Sequence, residues 1–369
     1  MKDAQTMMKM SEYRQCGKTR VVILLVKLAI AVSLCGQLAP DRSLFAQEEA
    51  VDTLAESVAG GSQEETGQPD RADQIVTKKT SCLCIIREDY DGKRLRYPSN
   101  IFFDPVKREI YVNDSGHSRI LVYTHDFYPL LSIGKSIDEL HGIEAPAGMA
   151  VDPKGWLFVA QSPGREHPRA RISVFNPCLR WKRDIFFTGF EGADNFRPQN
   201  IAINKQGILY VAGGYCGVVV LNKDGTFSHF LSPMDSLGKK EEQKASICDV
   251  EIDNDGRIYL LSQDMGRIYV YDEKESFLFK FGKKGGTPGK LSRPHGMAVD
   301  DRNKRIYVID YMRHTASAYS IDGRFLFEFG GKGVGRGWFQ YPRDINVDTS
   351  GNVLVADTFN HRVQVIEVL

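Results

Sequence analysis

The chain contains six copies of one hydrophobic pattern between residues 97 and 369. In each copy a short apolar stretch ends in Asp or Asn, a polar turn follows, and a second apolar run such as Ile-Tyr-Val continues the chain. The copies begin 47–52 residues apart, at Asn100, Gly148, Asn200, Asp249, Gly296 and Asp344. Short apolar runs bounded by turn residues predict β-strands, and a repeat of this length predicts units that pack against their neighbours.

Further apolar runs predict four strands in each copy. A third run follows the pair, as in residues 119–123, and a fourth follows it, as in residues 325–330. Within the copies, no stretch has a helical period long enough to predict a helix. Four short antiparallel strands per copy predict an all-β, six-bladed β-propeller. Because the last copy stops after its third strand, we expect the β-prone residues 81–87 to supply its fourth strand and close the ring.

The N-terminal part of the chain differs from the repeats in charge. Residues 1–46 carry seven Lys or Arg and three Asp or Glu, and an apolar run interrupted by Lys27 follows the first basic residues. This pattern predicts a signal peptide, with an uncleaved membrane anchor as the alternative, and therefore a periplasmic or secreted protein that an anchor would attach to the membrane. Residues 47–80 carry three basic and eight acidic residues and few aromatic ones, which predicts a disordered linker.

The remaining part, residues 81–369, is predicted to form the propeller. It carries 38 basic and 36 acidic residues, while the whole chain is 42% hydrophobic and 26% charged, as in ordinary globular proteins. A nearly neutral domain gives no electrostatic reason to expect nucleic acid, whose binding depends on Lys and Arg at phosphates.

The last copies resemble the NHL-repeat family. Residues 357–365 are similar to its signature, with Asn360, His361 and Arg362 at the triplet that names it, and residues 282–300 and 330–348 resemble its linker between blades. The resemblance covers about three quarters of the chain and is stronger in copies four to six. It implies a six-bladed propeller, but not one activity, because the family includes binding modules, sensors and a few enzymes.

One end of the ring is the predicted binding face. Because successive strands alternate in direction, the residue before each inner strand and the loop between the second and third strands lie at the same end. The residues before the inner strands form a circle of Ser99, Ala147, Gln199, Cys248, His295 and Arg343. The surrounding loops are residues 114–117, 161–167, 213–216, 263–265, 310–314 and 357–361.

Ligand contacts are expected where the copies differ at this face. The predicted contact residues are Gln199, Tyr215, His295, Tyr311, Arg313 and Arg343. Arg343 suits a carboxylate, because its guanidinium presents a fork of donors. These residues favour an exported module that binds a protein, peptide or glycan, with no catalytic residue and no cofactor.

The alternative is a metal-dependent propeller enzyme. Peptidylamidoglycolate lyases share this fold, and resemblance to them would imply zinc-binding histidines at several circle positions, where this chain has only His295. A catalytic zinc site generally needs three protein ligands, so the lyase pattern is incomplete. A lactonase-like hydrolase would instead use acids near the channel, for which Asp249 and Asp344 are the candidates.

Histidines and cysteines at the predicted face have two interpretations. Cys248, His295, His314 and His361 would form a zinc or copper site, or else His314 and His361 pack and hydrogen-bond within the NHL turn. We predict the second arrangement, with no bound metal. A disulfide between Cys216 and Cys248, on adjacent blades, is compatible with an oxidising compartment. In the same turn, Asp357 is predicted to cap the backbone through its carboxylate.

Overall fold

The computed structural model describes residues 78–134, 142–237 and 241–369. The predicted signal peptide or anchor and nearly all of the predicted linker therefore lie outside the described residues. The described residues form six four-stranded antiparallel sheets and one two-stranded hairpin. The inner strand of each sheet contacts the inner strands of the two neighbouring sheets, so the sheets are the blades of a closed ring. The predicted all-β, six-bladed architecture is confirmed.

Each blade is a meander of short strands, as its alternation of apolar runs and turns predicts. Blade one consists of β2 (Pro98–Asp104), β3 (Glu109–Asp114), β4 (Arg119–Thr124) and β5 (Pro129–Ile133). Blade two consists of β6 (Pro146–Val151), β7 (Leu157–Gln161), β8 (Arg171–Phe175) and β9 (Trp181–Phe186). Blade three consists of β10 (Asn200–Ile203), β11 (Leu209–Ala212), β12 (Val218–Leu221) and β13 (Phe227–Leu231). The hairpin β14 (Met234–Asp235) and β15 (Gln243–Lys244) then leads to blade four.

The remaining blades repeat this order. Blade four consists of β16 (Ile247–Ile252), β17 (Ile258–Ser262), β18 (Arg267–Tyr271) and β19 (Phe277–Phe281). Blade five consists of β20 (Pro294–Asp300), β21 (Arg305–Asp310), β22 (Thr315–Ser320) and β23 (Phe325–Gly330). Blade six consists of β24 (Asp344–Val347), β25 (Val353–Asp357) and β26 (Arg362–Val368), with β1 (Thr80–Ile86) as its outer strand. Among the described residues, helical structure is limited to three single turns of 3₁₀ helix, and no helix is long and apolar enough to cross a membrane.

The ring is closed by pairing the two ends of the described chain. Strand β1 pairs antiparallel with β26, from Thr80 opposite Val368 to Ile86 opposite Val363, with an irregularity between Cys82 and Cys84. The prediction that residues 81–87 supply the missing fourth strand is confirmed. This pairing joins blade six to the start of the chain and covers the edge of β26, which would otherwise present unpaired backbone groups.

The hydrophobic core is divided into six clusters, one between each pair of adjacent blades. Alternate residues of a strand point to opposite faces of its sheet, so Ile110 and Val112 pack between blades six and one, whereas Tyr111 packs between blades one and two. Both faces of each sheet are therefore buried. This explains why the second strands read as almost continuous apolar runs rather than as a strict alternation.

The residues that begin the six copies lie near the start of the inner strands and form a girdle around the channel. Asn100 donates its side-chain amide to Asp344 (2.8 Å) across the seam between blades one and six, and Asn200 donates to Asp249 across the opposite seam, between blades three and four. The two Asp residues also accept main-chain amides of the next blade, from Ile101 (2.7 Å) and Met297 (2.6 Å). The girdle thus ties blades together with buried polar groups that are hydrogen-bonded.

Blades two and five have glycine at the girdle position. A Cβ on Gly148 would lie 2.3 Å from the side-chain oxygen of Asn200, and one on Gly296 would lie 2.4 Å from Asp344. Glycine is needed there because the neighbouring Asn or Asp occupies the space of a side chain.

Candidate functional site

The upper face of the ring is the end at which the inner strands begin. The register of the inner hairpins places it there, because Pro98 lies opposite Asp114 and Pro294 opposite Asp310, at the ends of the second strands. The circle residues and the loops between second and third strands therefore share this face, as the strand directions predict.

A buried Asp organises each NHL turn at this face. The carboxylate of Asp357 accepts hydrogen bonds from the main chain of Gln340 (2.7 Å) and from the side chains of Asn360 (2.9 Å), Arg362 (2.7 Å) and Gln364 (3.0 Å). Asp357 is completely buried, and Arg362 is nearly so. The predicted capping of its own turn is wrong, because the carboxylate makes no capping hydrogen bond to the backbone of that turn. It instead joins the turn to the linker from the preceding blade.

The two histidines of the NHL turns join consecutive blades. Nδ1 of His314 accepts the main-chain N–H of Tyr341 (2.9 Å), and Nδ1 of His361 accepts that of Tyr97 (3.1 Å). Each imidazole also packs against the ring of the same tyrosine, with centroids 4.6 and 4.4 Å apart. Both imidazoles are therefore used in structural contacts, as the second of the two interpretations predicted, but their partners lie at the next blade and not within the NHL turn.

Tyr97 and Tyr341 have an unusual backbone conformation. Their φ angles are 51° and 47°, in the left-handed region, and each precedes a proline. A bulky residue seldom adopts this conformation, and it persists only where the surrounding contacts impose it. The contacts with His361 and His314 hold the two tyrosines in this position at the upper face.

The held tyrosines belong to a row of rings that crosses blades five, six and one. We call this the aromatic row, and its members in order are His295, Tyr311, Tyr341, Phe359 and Tyr97. Neighbouring ring centroids are 6.2, 5.0, 5.1 and 5.5 Å apart along the row. Phe359 and Tyr97 are exposed, and the guanidinium of Arg293 lies 5.9 Å from the centroid of Tyr311.

The predicted contact residues occupy different parts of this face. His295 and Tyr311 lie in the aromatic row. Arg343 is an exposed neighbour of Asp344 whose guanidinium makes no hydrogen bond or ion pair with any described residue, while its main-chain N–H donates to Ala356 (3.1 Å). Gln199 and Tyr215 are also exposed, at blade three.

Arg313 differs from the other predicted contact residues because its guanidinium is occupied within the protein. It donates two hydrogen bonds to Glu328 (2.8 and 2.9 Å) and others to the carbonyl oxygens of Gly286 (3.1 Å) and Lys290 (3.0 Å). Its visible role is therefore to tie the blade four linker to blade five.

Sequence reasoning missed Tyr97, Tyr341, Phe359 and Arg293. The available signal was the Tyr-Pro dipeptide, which recurs immediately before the inner strands of blades one and six. The dipeptide reads as linker sequence, because the sequence pattern does not reveal the left-handed backbone conformation of the tyrosine, which directs its ring along the upper face.

The side chains considered for a metal do not form a cluster. Burial, with Arg343 as the next cause, lowers the pKa of His295 to about 4, so its imidazole is neutral at physiological pH. The thiol of Cys248 is buried and donates to the carbonyl of Leu261 (3.4 Å). Among the described residues, the group of three metal-ligating side chains that do converge is Glu144, Glu166 and His167, on blade two.

That group is explained by the loop around it. The carboxylate of Glu144 accepts main-chain N–H groups of Arg165 (2.7 Å) and His167 (2.9 Å), which fixes the loop of residues 161–167. The considered disulfide is not present, because Cys216 and Cys248 are both free thiols.

Comparisons with known proteins agree with this architecture. Residues 339–366 match the family model of the NHL repeat, and residues 238–328 match a family model described as a 6-bladed beta-propeller. The protein is a six-bladed β-propeller that carries an NHL repeat in its last blade. No curated protein matches its sequence significantly.

Solved structures with the same fold have diverse descriptions. An auxiliary nutrient binding protein from Bacteroides thetaiotaomicron is 12% identical, with 81% of this chain and 78% of that chain covered and a TM-score of 0.57. A putative phosphatase from the same organism is 15% identical, with 79% of each chain covered and a TM-score of 0.56. Virginiamycin B lyase from Staphylococcus aureus is 12% identical, with 79% of this chain and 99% of that chain covered and a TM-score of 0.51. At such identities the likeness shows the fold alone.

Proposed function

We propose that the protein is an exported binding module whose NHL propeller holds a protein, peptide or glycan at the upper face. The observation that carries the proposal is the aromatic row, because five rings in sequence across three blades form a continuous aromatic surface beside two arginines. Export rests on the basic and apolar pattern of residues 1–46, and an uncleaved N-terminus would attach the module to the membrane.

The chemistry of the row defines what the ligand must offer. Tyrosine and phenylalanine rings provide large apolar contact areas, and the phenol groups add hydrogen bonds at the edge. The unpaired guanidinium of Arg343 provides a fork of donors beside the row, so the proposed ligand combines a flat apolar group with a carboxylate. Because His295 is neutral, it serves as a hydrogen-bonding group of the site and adds no charge.

The proposed site is centred on blades five, six and one. His295, Tyr311 and Arg343 belong to its centre, whereas Gln199 and Tyr215 would contact only a ligand long enough to cross the channel. Arg313 is assigned to the support of the face, since Glu328 and two carbonyl oxygens already accept its hydrogen bonds.

The test is a binding screen followed by paired variants. Labelled protein is applied to arrays of neutral and uronic-acid glycans and to a library of peptides, and the best ligand of each array is measured with Tyr311→Ala and Arg343→Ala. We expect each variant to weaken binding at least tenfold, as is common for central aromatic and arginine contacts. Tyr128→Ala and Arg324→Ala, exposed residues away from this face, are the controls and should bind as the unmodified protein does. Unchanged binding by Tyr311→Ala and Arg343→Ala would show that the ligand binds elsewhere.

A further inference from the structure

The opposite end of the channel opens into a second cavity. We call it the lower cavity; it has a volume of about 680 Å³ and is lined by the inner strands and by the turns that follow them. Its size lies within the range of small-molecule sites. Its walls combine apolar side chains of the inner strands, such as Met149, Ile203 and Val299, with polar residues that lie mostly in the turns.

Small residues on three inner strands make room for this cavity. Two positions beyond the girdle, blades two, three and five have alanine, at Ala150, Ala202 and Ala298, and all three line the cavity. Blade four has Glu251 at the same position. Glu251 is therefore the only acidic residue at this level of the described ring, and the adjacent blades three and five have alanine at the same position.

The carboxylate of Glu251 makes no hydrogen bond or ion pair with any described residue, although Glu251 lines the cavity. Asn100 lines it as well, is only 5% exposed, and has a side-chain oxygen without a hydrogen-bond partner. Buried polar groups are normally hydrogen-bonded, so both acceptors indicate a donor that the protein itself does not supply. The nearby Asp249 and Asp344 do not offer the same opportunity, because main-chain and Asn donors already occupy them.

The mouth of the lower cavity is negatively charged. Nine acidic and two basic residues line the cavity among the described residues. The two basic side chains point to neighbouring turns: Lys205 donates to the carbonyl of Asn254 (2.6 Å) and Arg302 to that of Thr349 (3.1 Å). A cleft lined by one sign of charge concentrates ligands of the opposite sign.

We propose that the lower cavity binds a small organic cation through a primary ammonium group, with Glu251 and the side-chain oxygen of Asn100 as its acceptors. An ammonium has three N–H donors and no acceptor, which matches two acceptors without donors. The apolar walls accommodate an alkyl chain behind the charged group, as they do for the stems of lysine side chains.

A bare metal ion fits this cavity less well. Calcium needs six to eight oxygen ligands close together, whereas Asp249, Glu251 and Asp344 do not converge as a group of three ligands among the described residues. The cavity is also far larger than one ion, and apolar residues make up half of its lining. The site therefore favours an alkylamine, and it is independent of the proposed function of the upper face.

The electrostatics of the girdle support a cationic occupant. Burial, and then the charges of Asp249 and Asp344, hold the pKa of Glu251 well above its usual range. An ammonium beside Glu251 would offset this repulsion.

Binding of 1-hexylamine and of 1,5-diaminopentane to the full chain tests the proposal, by calorimetry and by the thermal shift of unfolding. 1-Hexanol is the neutral control, and calcium chloride tests a metal. We expect both amines to bind and to raise the unfolding temperature, hexanol and calcium to have no effect, and Glu251→Gln to weaken amine binding at least tenfold. Glu273→Gln, an exposed acid at the cavity mouth, should change binding less than twofold.

Several outcomes would overturn the proposal. Equal binding of hexylamine and hexanol would show a purely apolar pocket, and calcium binding without amine binding would show a metal site. Amine binding that Glu251→Gln leaves unchanged would place the amine elsewhere. If Glu251→Gln does not fold, the comparison of hexylamine with hexanol on the unmodified protein still decides whether charge is recognised.

Discussion

The two ends of the channel are built from the same repeat but have opposite chemistry. At the upper face the copies diverge toward aromatic and basic residues, with Arg293 and Arg343 beside the aromatic row. At the lower cavity the copies keep their Asp or Asn turn residues, and the departure is the acid Glu251, at a position where the two neighbouring blades have alanine. Residues that recur in the copies mainly form hydrogen bonds with backbone groups. Residues that differ between copies give the two ends of the channel their different proposed ligands.

The largest effect is expected from breaking a repeated residue of the upper face. Asp357→Ala would leave the buried guanidinium of Arg362 without its carboxylate and remove the acceptor of Gln340. Removal of one partner from a buried ion pair costs about 3–5 kcal/mol, because the other charge stays buried without compensation. Urea unfolding measures this cost. Asp255→Ala, an exposed acid at the lower end, is the matched control and should change stability by less than about 0.5 kcal/mol. A loss below 1 kcal/mol for Asp357→Ala would contradict the structural role of the turn.

A smaller effect of opposite sign is expected at the lower end. Glu251→Gln removes a charge that is costly to bury and should stabilise the protein without ligand by about 1–3 kcal/mol at pH 8. Burial raises the pKa of Asp249 to about 6, and burial together with the charge of Asp249 raises the pKa values of Glu251 and Asp344 well above their usual range. An acid whose pKa is raised in the folded state contributes its full stabilisation of the fold when the pH is below its unfolded-state pKa, near 4. This contribution is lost as the pH rises through the folded-state pKa.

The pH dependence separates this effect from a packing change. The stability difference between Glu251→Gln and the unmodified protein should be small at pH 4.5, where Glu251 holds its proton in the fold, and largest at pH 8. Urea unfolding at both values measures it. An equal difference at both pH values would mean that the charge of Glu251 is not responsible.

The sequence was sufficient for features that repetition imposes. The number of blades and the closing strand both follow from a pattern that recurs, because the strands of each copy must be paired in the same way. The aromatic row was not predictable in the same way. Tyr97 and Tyr341 owe their positions to backbone angles that a histidine of the preceding blade imposes, which is a contact between distant parts of the chain.

Two further features also depended on three-dimensional information. Glu251 reads as an ordinary polar residue of an alternating strand, and only the closed ring shows that it lines a cavity with alanines at the equivalent positions. Arg313 reads as an exposed loop residue, but its guanidinium reaches a linker and an outer strand. The spacing of residues in the sequence predicts how far along the channel a residue lies. It does not predict which residues of the neighbouring blades its side chain contacts.

The smallest effect is expected from the histidine that supports the aromatic row. His314→Ala removes the acceptor of the Tyr341 N–H and should cost about 1 kcal/mol, the typical net value of one hydrogen bond. His314→Asn is the matched variant, because Asn tolerates the left-handed conformation at this position, where φ is 59°, and offers a side-chain oxygen. It should lose less stability than the alanine variant.

Protonation tests the same contact without changing the backbone. Burial, and then the charge of Lys332, lower the pKa of His314 in the fold. The neutral ring therefore stabilises the fold above the unfolded value, near pH 6.5, and this contribution is lost as the pH falls through the lowered folded value. We expect the difference in urea stability between the unmodified protein and His314→Asn to shrink from pH 7.5 to pH 4.5, because a protonated Nδ1 cannot accept the Tyr341 N–H. A constant difference would mean that ring packing on Tyr341, and not the hydrogen bond, holds the aromatic row in place.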